Sequence, residues 1–175
     1  VSGKTDVSID AISAPQKLTV TAGGGITLGD GTSSVAGVIS LSAAQGVSLN
    51  LASAKIDTIT AGAFADLRGG ALDIGTVTAP RFFAQSESLK IGTANSTGDV
   101  YAIATSGDAI VGTANAGDDV FVLATHGTAS LGSATISGSG LDTVSTGFVG
   151  NTDVAGNGRI VNVQSSDLDA RLGLG

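Results

Sequence analysis

The sequence predicts an all-β protein wound as a parallel β-helix (β-solenoid), in which about eight coils of 17–21 residues stack along one axis. A similar unit returns about every twenty residues, and within each unit apolar and polar side chains alternate with a period of two. Glycine accounts for 27 of 175 residues and interrupts the sequence too often for helices of ordinary length. Each unit is therefore read as short strands separated by turns.

The clearest repeat lies in the second half of the chain. The sequence IGTAN at residues 91–95 returns as VGTAN at residues 111–115 and as LGSAT at residues 131–135, each time twenty residues later. The strand-like segment VYAIAT at residues 100–105 likewise matches VFVLAT at residues 120–125. Because two different segments share one spacing, we expect each copy to lie directly above the preceding one.

A triplet of hydroxyl, apolar and hydroxyl side chains joins both halves of the chain into one series. Its steps are 21, 18, 18, 17, 20, 20 and 20 residues. The members are Thr19-Val20-Thr21, Ser40-Leu41-Ser42, Thr58-Ile59-Thr60, Thr76-Val77-Thr78, Thr93-Ala94-Asn95, Thr113-Ala114-Asn115, Ser133-Ala134-Thr135 and the degraded Asp153-Val154-Ala155. With about three short strands per unit, the series predicts one coil per triplet and one solenoid segment over residues 1–175.

The alternation assigns the middle residue of each triplet to the interior. The predicted interior column is Val20, Leu41, Ile59, Val77, Ala94, Ala114 and Ala134, with Ile26/Leu28, Val47/Leu49, Leu72/Ile74 and Leu89/Ile91 along the other edges. More than half of all residues are Gly, Ala, Ser or Thr, so the core is thin and hydrogen bonds between coils are expected to hold it together. At ~4.8 Å per coil, eight coils predict a rod roughly 40 Å long.

Composition and charge exclude several classes of function. The absence of Cys excludes disulfides, thiolate metal sites and a Cys nucleophile. A net charge of −7 and a pI near 4.3 argue against nucleic acid or an anionic membrane as a partner. The longest uncharged stretch, residues 31–54, alternates instead of running apolar, so no membrane insertion is expected. The chain begins at Val1, which we interpret as a fragment of a larger repeat protein.

Two segments of the chain resemble the degenerate repeats of the filamentous haemagglutinin family: LTVTAGGGITLG at residues 18–29 and ISLSAAQGVSLN at residues 39–50. That family consists of large bacterial adhesins exported by two-partner secretion. The resemblance implies a right-handed parallel β-helix that forms the shaft of a secreted or cell-surface protein, with no catalytic residues to carry over. The Asn-Pro-Asn signature of the family's secretion domain is missing, since the prolines are Pro15 and Pro80. The resemblance therefore implies shaft and not secretion signal.

The titratable residues are weak candidates for chemistry. His126 replaces Ser106 of the preceding unit ahead of a turn glycine, so we expect a structural role and no general base. Asp99, Asp118 and Asp119 fall in predicted turns, where carboxylates could act in a polysaccharide-cleaving solenoid or bind Ca²⁺. Aspartate is also a good turn former, and this is the role we expect. No catalytic, cofactor-binding or metal site is predicted.

The best candidate for a contact site is a pair of strands that are apolar on both faces. Tyr101/Ile103 and Phe121/Leu123 share one face, while Val100/Ala102 and Val120/Val122 share the other. One face must line the core, so the other is either covered by a loop or exposed as a contact surface.

Two polar rows are expected on the outer surface. If the middle residues of the triplets point inward, Thr19/Thr21, Ser40/Ser42, Thr58/Thr60 and Thr76/Thr78 form a flat hydroxyl face, which resembles that of ice-binding solenoids. Threonine is also favoured on any solvated strand. Further along the row, Asn95 and Asn115 recur at one position, where their amides are expected to form a ladder along the rod.

Taken together, these patterns predict a non-enzymatic shaft segment of a secreted or cell-surface bacterial filamentous adhesin, without cofactors. Its expected partner is a protein or glycan on a host or neighbouring-cell surface, contacted through the parent adhesin. End-to-end association of cut coils is also expected. The alternatives are an ice-binding solenoid and a polysaccharide-degrading β-helix. For the latter the constellation is incomplete, because no Lys or Arg lies between Lys90 and Arg159, where these aspartates fall.

Overall fold

The computed structural model describes residues 1–12, 16–137, 154–155, 161–165 and 171–172, the last three ranges by their backbone alone. In these ranges all helical or strand structure is strand, and no helix that could cross a membrane occurs among them. The strands are β1 (Ser2–Gly3), β2 (Val7–Ile9), β3 (Lys17–Ala22), β4 (Ile26–Leu28), β5 (Ser34–Ala43), β6 (Gly46–Ala61), β7 (Phe64–Thr78), β8 (Phe82–Asn95), β9 (Val100–Ala104), β10 (Ala109–Ala116), β11 (Val120–Ala124), β12 (Ala129–Ile136), β13 (Val154–Ala155), β14 (Val161–Ser165) and β15 (Arg171–Leu172).

The strands pair in parallel, and each long strand pairs with the equivalent strand of the next coil. Strand β6 lies beside β7, β7 beside β8, and β8 beside both β9 and β10. The chain thus forms a parallel β-solenoid of about seven turns, which confirms the predicted fold class with one turn fewer than the eight predicted.

Each coil has three sides, which the burial pattern of the long strands marks. In β6 the alternation of inward and outward residues breaks at residues 52–53 and again at residues 57–58, where two successive side chains face away from the core. A strand that turns a corner shows this break. The first side contains residues 47–51, 65–69, 82–86, 100–104 and 120–124; the second contains residues 54–56, 72–74, 89–91, 109–111 and 129–131; the third contains residues 58–61, 76–79, 93–95, 113–116 and 133–136.

The triplets stack in register on the third side, as predicted. The pairing places Ile59 beside Val77, Val77 beside Ala94, and Ala94 beside Ala114. Unequal steps of 17 to 20 residues do not disturb this register, because the extra residues lie in the turns between the third and first sides. The strands therefore keep their length while the turns absorb the difference.

The core is as thin as the composition predicts. Every predicted interior residue is buried, from Val20, Leu41, Ile59 and Val77 to the alanines at 94, 114 and 134, together with the four pairs on the other edges. The third-side column becomes smaller at Ala94, and the same coil carries Phe82, which is 2% exposed and is the largest fully buried side chain. A large residue on one side thus accompanies a small one on another, as filling a constant cross-section requires.

Glycine occupies the corner between the second and third sides in four successive coils, at Gly75, Gly92, Gly112 and Gly132. A Cβ atom at Gly92 would lie 2.6 Å from the carbonyl oxygen of Gly75, and one at Gly112 would lie 2.6 Å from that of Gly92. Real Cβ atoms do not approach so closely, so the coils reach their spacing at this corner only without a side chain.

The regular repeat ends after residue 137. Strand β13 pairs with Ala134–Thr135 as the eighth triplet predicts, although Asp153 lies outside the described residues. Above β11, however, the first side is completed by β14, whose Val161 pairs with Val120 forty-one residues earlier. The prediction of eight equal coils is therefore wrong at this end, because residues 138–153 contain no counterpart of the VYAIAT and VFVLAT segments.

The inward and outward positions of one strand should differ sharply in their effect on stability. We expect Ile59→Ala to lower the free energy of unfolding by about 2–5 kcal/mol, because it leaves a cavity in the buried column. Its neighbour Thr60 faces solvent, so Thr60→Ala should change that free energy by less than about 0.5 kcal/mol. Urea unfolding followed by far-ultraviolet circular dichroism measures both, and equal effects would contradict the assigned sides.

Candidate functional site

Aromatic side chains follow one another on the outer surface of the first side. Phe83, Tyr101 and Phe121 occupy equivalent positions in successive coils, and the ring centroids of Tyr101 and Phe121 are 5.8 Å apart. The predicted division of the strands is confirmed: Val100, Ala102, Val120 and Val122 are buried, whereas Tyr101, Ile103, Phe121 and Leu123 point outward and are half-buried. The outward face is therefore a continuous apolar surface, which is typical of a contact site.

An ion pair lies beside this column at its amino-terminal end. The Nε and Nη2 atoms of Arg68 donate hydrogen bonds of 3.1 and 3.4 Å to the two carboxylate oxygens of Asp66. The guanidinium carbon of Arg68 also lies 5.3 Å from the centroid of the Phe83 ring. At an exposed site such contacts contribute about 1 kcal/mol or less, so their main effect is to orient the Asp66 carboxylate and the Phe83 ring.

A cavity of about 410 Å³, which we call the aromatic cleft, opens in this surface. Its lining consists of Phe64, Ala65, Asp66, Arg81, Phe82, Phe83, Asp99 and Tyr101. Ala65 and Phe82 are paired and buried, so they form the floor. The flanking positions of the same three coils form two walls: Phe64, Arg81 and Asp99 precede the floor residues in each strand, while Asp66, Phe83 and Tyr101 follow them.

Phe64 begins the wall nearest the amino terminus and is 37% exposed. It pairs with Gly46 of the preceding coil, and a side chain at Gly46 would collide with the Phe64 ring. The ring therefore lies across the backbone of the neighbouring coil, and a glycine there gives it room.

Sequence reasoning found Tyr101 and missed the rest of the cleft. Phe83 stands 18 residues before Tyr101 and Asp66 stands 17 residues before Phe83, the same steps that separate the corresponding triplets. The spacing that aligned the triplets would therefore have aligned these residues too. Arg68 carries no such signal, because its contact with Phe83 depends on side-chain conformation.

The third side carries two outward ranks of small polar side chains. Pairing places Thr19, Ser40, Thr58, Thr76, Thr93, Thr113 and Ser133 in one rank and Thr21, Ser42, Thr60, Thr78, Asn95, Asn115 and Thr135 in the other. The register predicted for the hydroxyl row is therefore confirmed. The ranks are ~4.8 Å apart from coil to coil along the axis, the spacing of neighbouring strands.

The predicted amide ladder is present in the second rank. Asn115 Nδ2 donates a 2.8 Å hydrogen bond to Asn95 Oδ1, and Asn95 Nδ2 donates to Thr78 Oγ1 at 3.4 Å. In the other rank Ser133 Oγ donates to Thr113 Oγ1 at 3.2 Å. These contacts connect successive coils through side chains, in addition to the backbone bonds of the sheet.

The turn aspartates accept backbone hydrogen bonds from the next coil. Thr128 N–H donates to Asp108 Oδ1 at 2.8 Å, and Asp119 N–H donates to Asp99 Oδ1 at 3.2 Å. These contacts support the predicted turn role of Asp99. Among the described residues no group of three or more His, Asp or Glu side chains lies together in a way that could hold a metal ion.

The pKa of one further turn carboxylate is shifted. The backbone N–H of Thr32, and then its hydroxyl, donate to Asp30 Oδ1 at 2.9 and 2.8 Å and lower the pKa of Asp30 below its ordinary value. The cause is local turn formation, so this shift does not mark a reactive site.

His126 lies in an exposed turn. Its Nδ1 atom is 3.2 Å from the carbonyl oxygen of Thr105 in the preceding coil, so in this contact Nδ1 carries the proton and donates. A backbone partner of this kind supports the structural role predicted for His126 over that of a general base.

The chain matches no protein-family model, no curated protein and no solved structure. The solenoid is established by its own strand pairing, and the adhesin family remains a resemblance.

The amide ladder should be measurable as a coupling between two side chains. We expect Asn95→Ala and Asn115→Ala each to lower the free energy of unfolding, and a double-mutant cycle to give a coupling of about 1 kcal/mol, because one hydrogen bond joins them. Thr58→Ala combined with Asn115→Ala provides the control, since these residues lie three coils apart and their effects should add. Additive effects of the two asparagine substitutions would contradict the ladder.

Proposed function

We propose that this chain is a non-enzymatic shaft segment of a secreted or cell-surface filamentous adhesin. The observation that supports the proposal best is the in-register parallel stacking of about seven coils. Each coil adds ~4.8 Å of length, so the fold extends a surface away from its anchor at about twenty residues per step. The resemblance of residues 18–29 and 39–50 to filamentous haemagglutinin repeats supports the same function.

The outer surface suits a shaft that extends into water. The third side presents hydroxyl and amide side chains in every described coil, and the turns carry aspartates. A net charge of −7 keeps such rods apart in solution, because like charges repel. The proposed partner of the parent adhesin is a protein or glycan on a host or neighbouring-cell surface.

The amino-terminal coil supports growth of the rod by addition of further coils. Strands β1 and β2 pair only with β3 and β4 among the described strands, so their other edges remain available for hydrogen bonding. In a longer parent chain a preceding coil would occupy these edges. In an isolated segment the edges favour the proposed end-to-end association, which sedimentation at rising concentration would reveal as a growing mass.

A second candidate function is ice binding, and the two aligned ranks of the third side favour it. Regularly spaced hydroxyl groups on a rigid flat sheet can match the repeat of a crystal surface. Asn95 and Asn115 interrupt one rank, and their amides bond to each other and to Thr78 instead of pointing freely outward. A freezing-point hysteresis assay decides: a gap that Thr76→Lys abolishes and Ser48→Lys on the first side preserves supports this candidate, and no gap rejects it.

The shaft proposal predicts that one whole coil can be removed. Deleting residues 40–57 joins Ile39 to Thr58, which occupies the register position of Ser40. We expect the parent adhesin to fold, to become shorter by ~4.8 Å, and to keep its binding to cells, because the remaining coils stack as before. Small-angle X-ray scattering and a cell-adhesion assay measure the two properties.

Deletion of residues 40–48 alone provides the matched control. Half a coil places third-side residues against the first side, so this variant should lose its cooperative unfolding transition and its adhesion. The proposal fails if the whole-coil deletion is as damaging as the half-coil deletion, since adhesion would then depend on the removed side chains and not on the stack.

A further inference from the structure

We propose that the aromatic cleft binds a neutral oligosaccharide through ring stacking on Phe83 and Tyr101. The inference deepens the proposed function, on which it rests for its biological setting, by placing one contact site on the shaft itself. Its starting point is the shape of the site: a cavity of about 410 Å³ lined mainly by aromatic side chains with a few polar groups. Small-molecule sites commonly have this composition and a volume of about 300–1,000 Å³.

The walls combine the two kinds of group that a sugar requires. The faces of a pyranose ring that carry C–H groups stack on aromatic rings, and Phe64, Phe83 and Tyr101 supply such rings. Sugar hydroxyl groups both donate and accept hydrogen bonds. The carboxylates of Asp66 and Asp99 accept, while the guanidinium of Arg81 donates.

The charges at the cleft favour an uncharged ligand. Two carboxylates, Asp66 and Asp99, are balanced by two guanidinium groups, Arg68 and Arg81, and one of these pairs is already joined in the Asp66–Arg68 contact. Aromatic rings also stack on nucleobases, but phosphates would meet this balanced cleft on a protein of net charge −7. Acidic glycans would meet the same repulsion, so neutral sugars fit best.

The site is also organised before any ligand binds. Phe82 and Ala65 fix the floor from the core, Phe64 lies across Gly46, and Arg68 contacts both Asp66 and Phe83. Groups held in place in this way lose little conformational freedom on binding, which favours affinity.

The chain contains a natural reporter for the test. Tyr101 is the one tyrosine and there is no tryptophan, so tyrosine fluorescence from the intact chain comes from the wall of the cleft. We would titrate the full chain with maltotetraose, cellotetraose and lacto-N-tetraose, and with a heparin-derived tetrasaccharide as the acidic comparison. We expect a saturable fluorescence change with at least one neutral tetrasaccharide that is insensitive to salt.

Variants assign the change to the cleft. Phe83→Ala should weaken the apparent affinity about tenfold or more, because it removes a stacking ring while the reporter remains. Arg81→Gln alters an exposed side chain that the fold does not need, and should also weaken binding. Ile103→Ala is the matched control: it removes a half-buried apolar side chain of the same strand outside the cleft, and should leave the affinity unchanged.

Four results would overturn the inference. These are no saturable change with any neutral tetrasaccharide, a change produced by the acidic tetrasaccharide alone and abolished by salt, affinities that Phe83→Ala and Arg81→Gln leave intact, and a fluorescence change that follows protein concentration without sugar, which would make the cleft an interface between copies. Small-angle X-ray scattering on the same samples reports the rod shape separately, so a failed cleft is distinguishable from a failed shaft.

Discussion

Hydrogen bonding between parallel coils in constant register is the constraint on which the rest of the structure depends. Each backbone strand pairs with the equivalent strand one coil away, so every residue lies beside its counterpart at ~4.8 Å. This explains how a chain made mostly of small residues folds at all. The interior is narrow enough for Val, Leu, Ile and Ala to fill, and the backbone supplies the connections that bulky side chains supply in a globular core.

Constant register also multiplies the effect of each residue type, because like residues accumulate into columns. Glycines at the second corner allow four successive coils to approach, and asparagines on the third side hydrogen-bond to one another. The same rule brings Phe83, Tyr101 and Phe121 together from strands about twenty residues apart. The scaffold and the proposed contact surface thus have one physical origin, and a binding site needs no loop or second domain to assemble it.

Much of this architecture could be predicted from the sequence, since period-two alternation fixes the sides of a strand and a repeated triplet fixes the register. The interior column from Val20 to Ala134 and the Asn95–Asn115 ladder follow from those two rules. The corners at residues 52–53 and 57–58 could not be predicted, because they depend on where a continuous strand bends. The position of β14 above β11 was also beyond reach, since no repeated motif connects residues 161–165 to residues 120–124. The cleft lies between these cases: its columns obey the repeat, while the placement of Arg68 over Phe83 depends on side-chain geometry.

The central claim is that residues twenty positions apart are neighbours across one coil, and engineered disulfides test it most directly. The chain has no cysteine, so Thr93→Cys with Thr113→Cys creates one possible bond on the outer face. Neighbouring strands are ~4.8 Å apart, within the range that a disulfide spans, whereas residues 93 and 133 are two coils and ~9.6 Å apart. The account predicts that mild oxidation forms an intramolecular disulfide between 93 and 113 in a folded monomer and none between 93 and 133. Equal bridging of both pairs, or bridging of 93 and 133 alone, would contradict it.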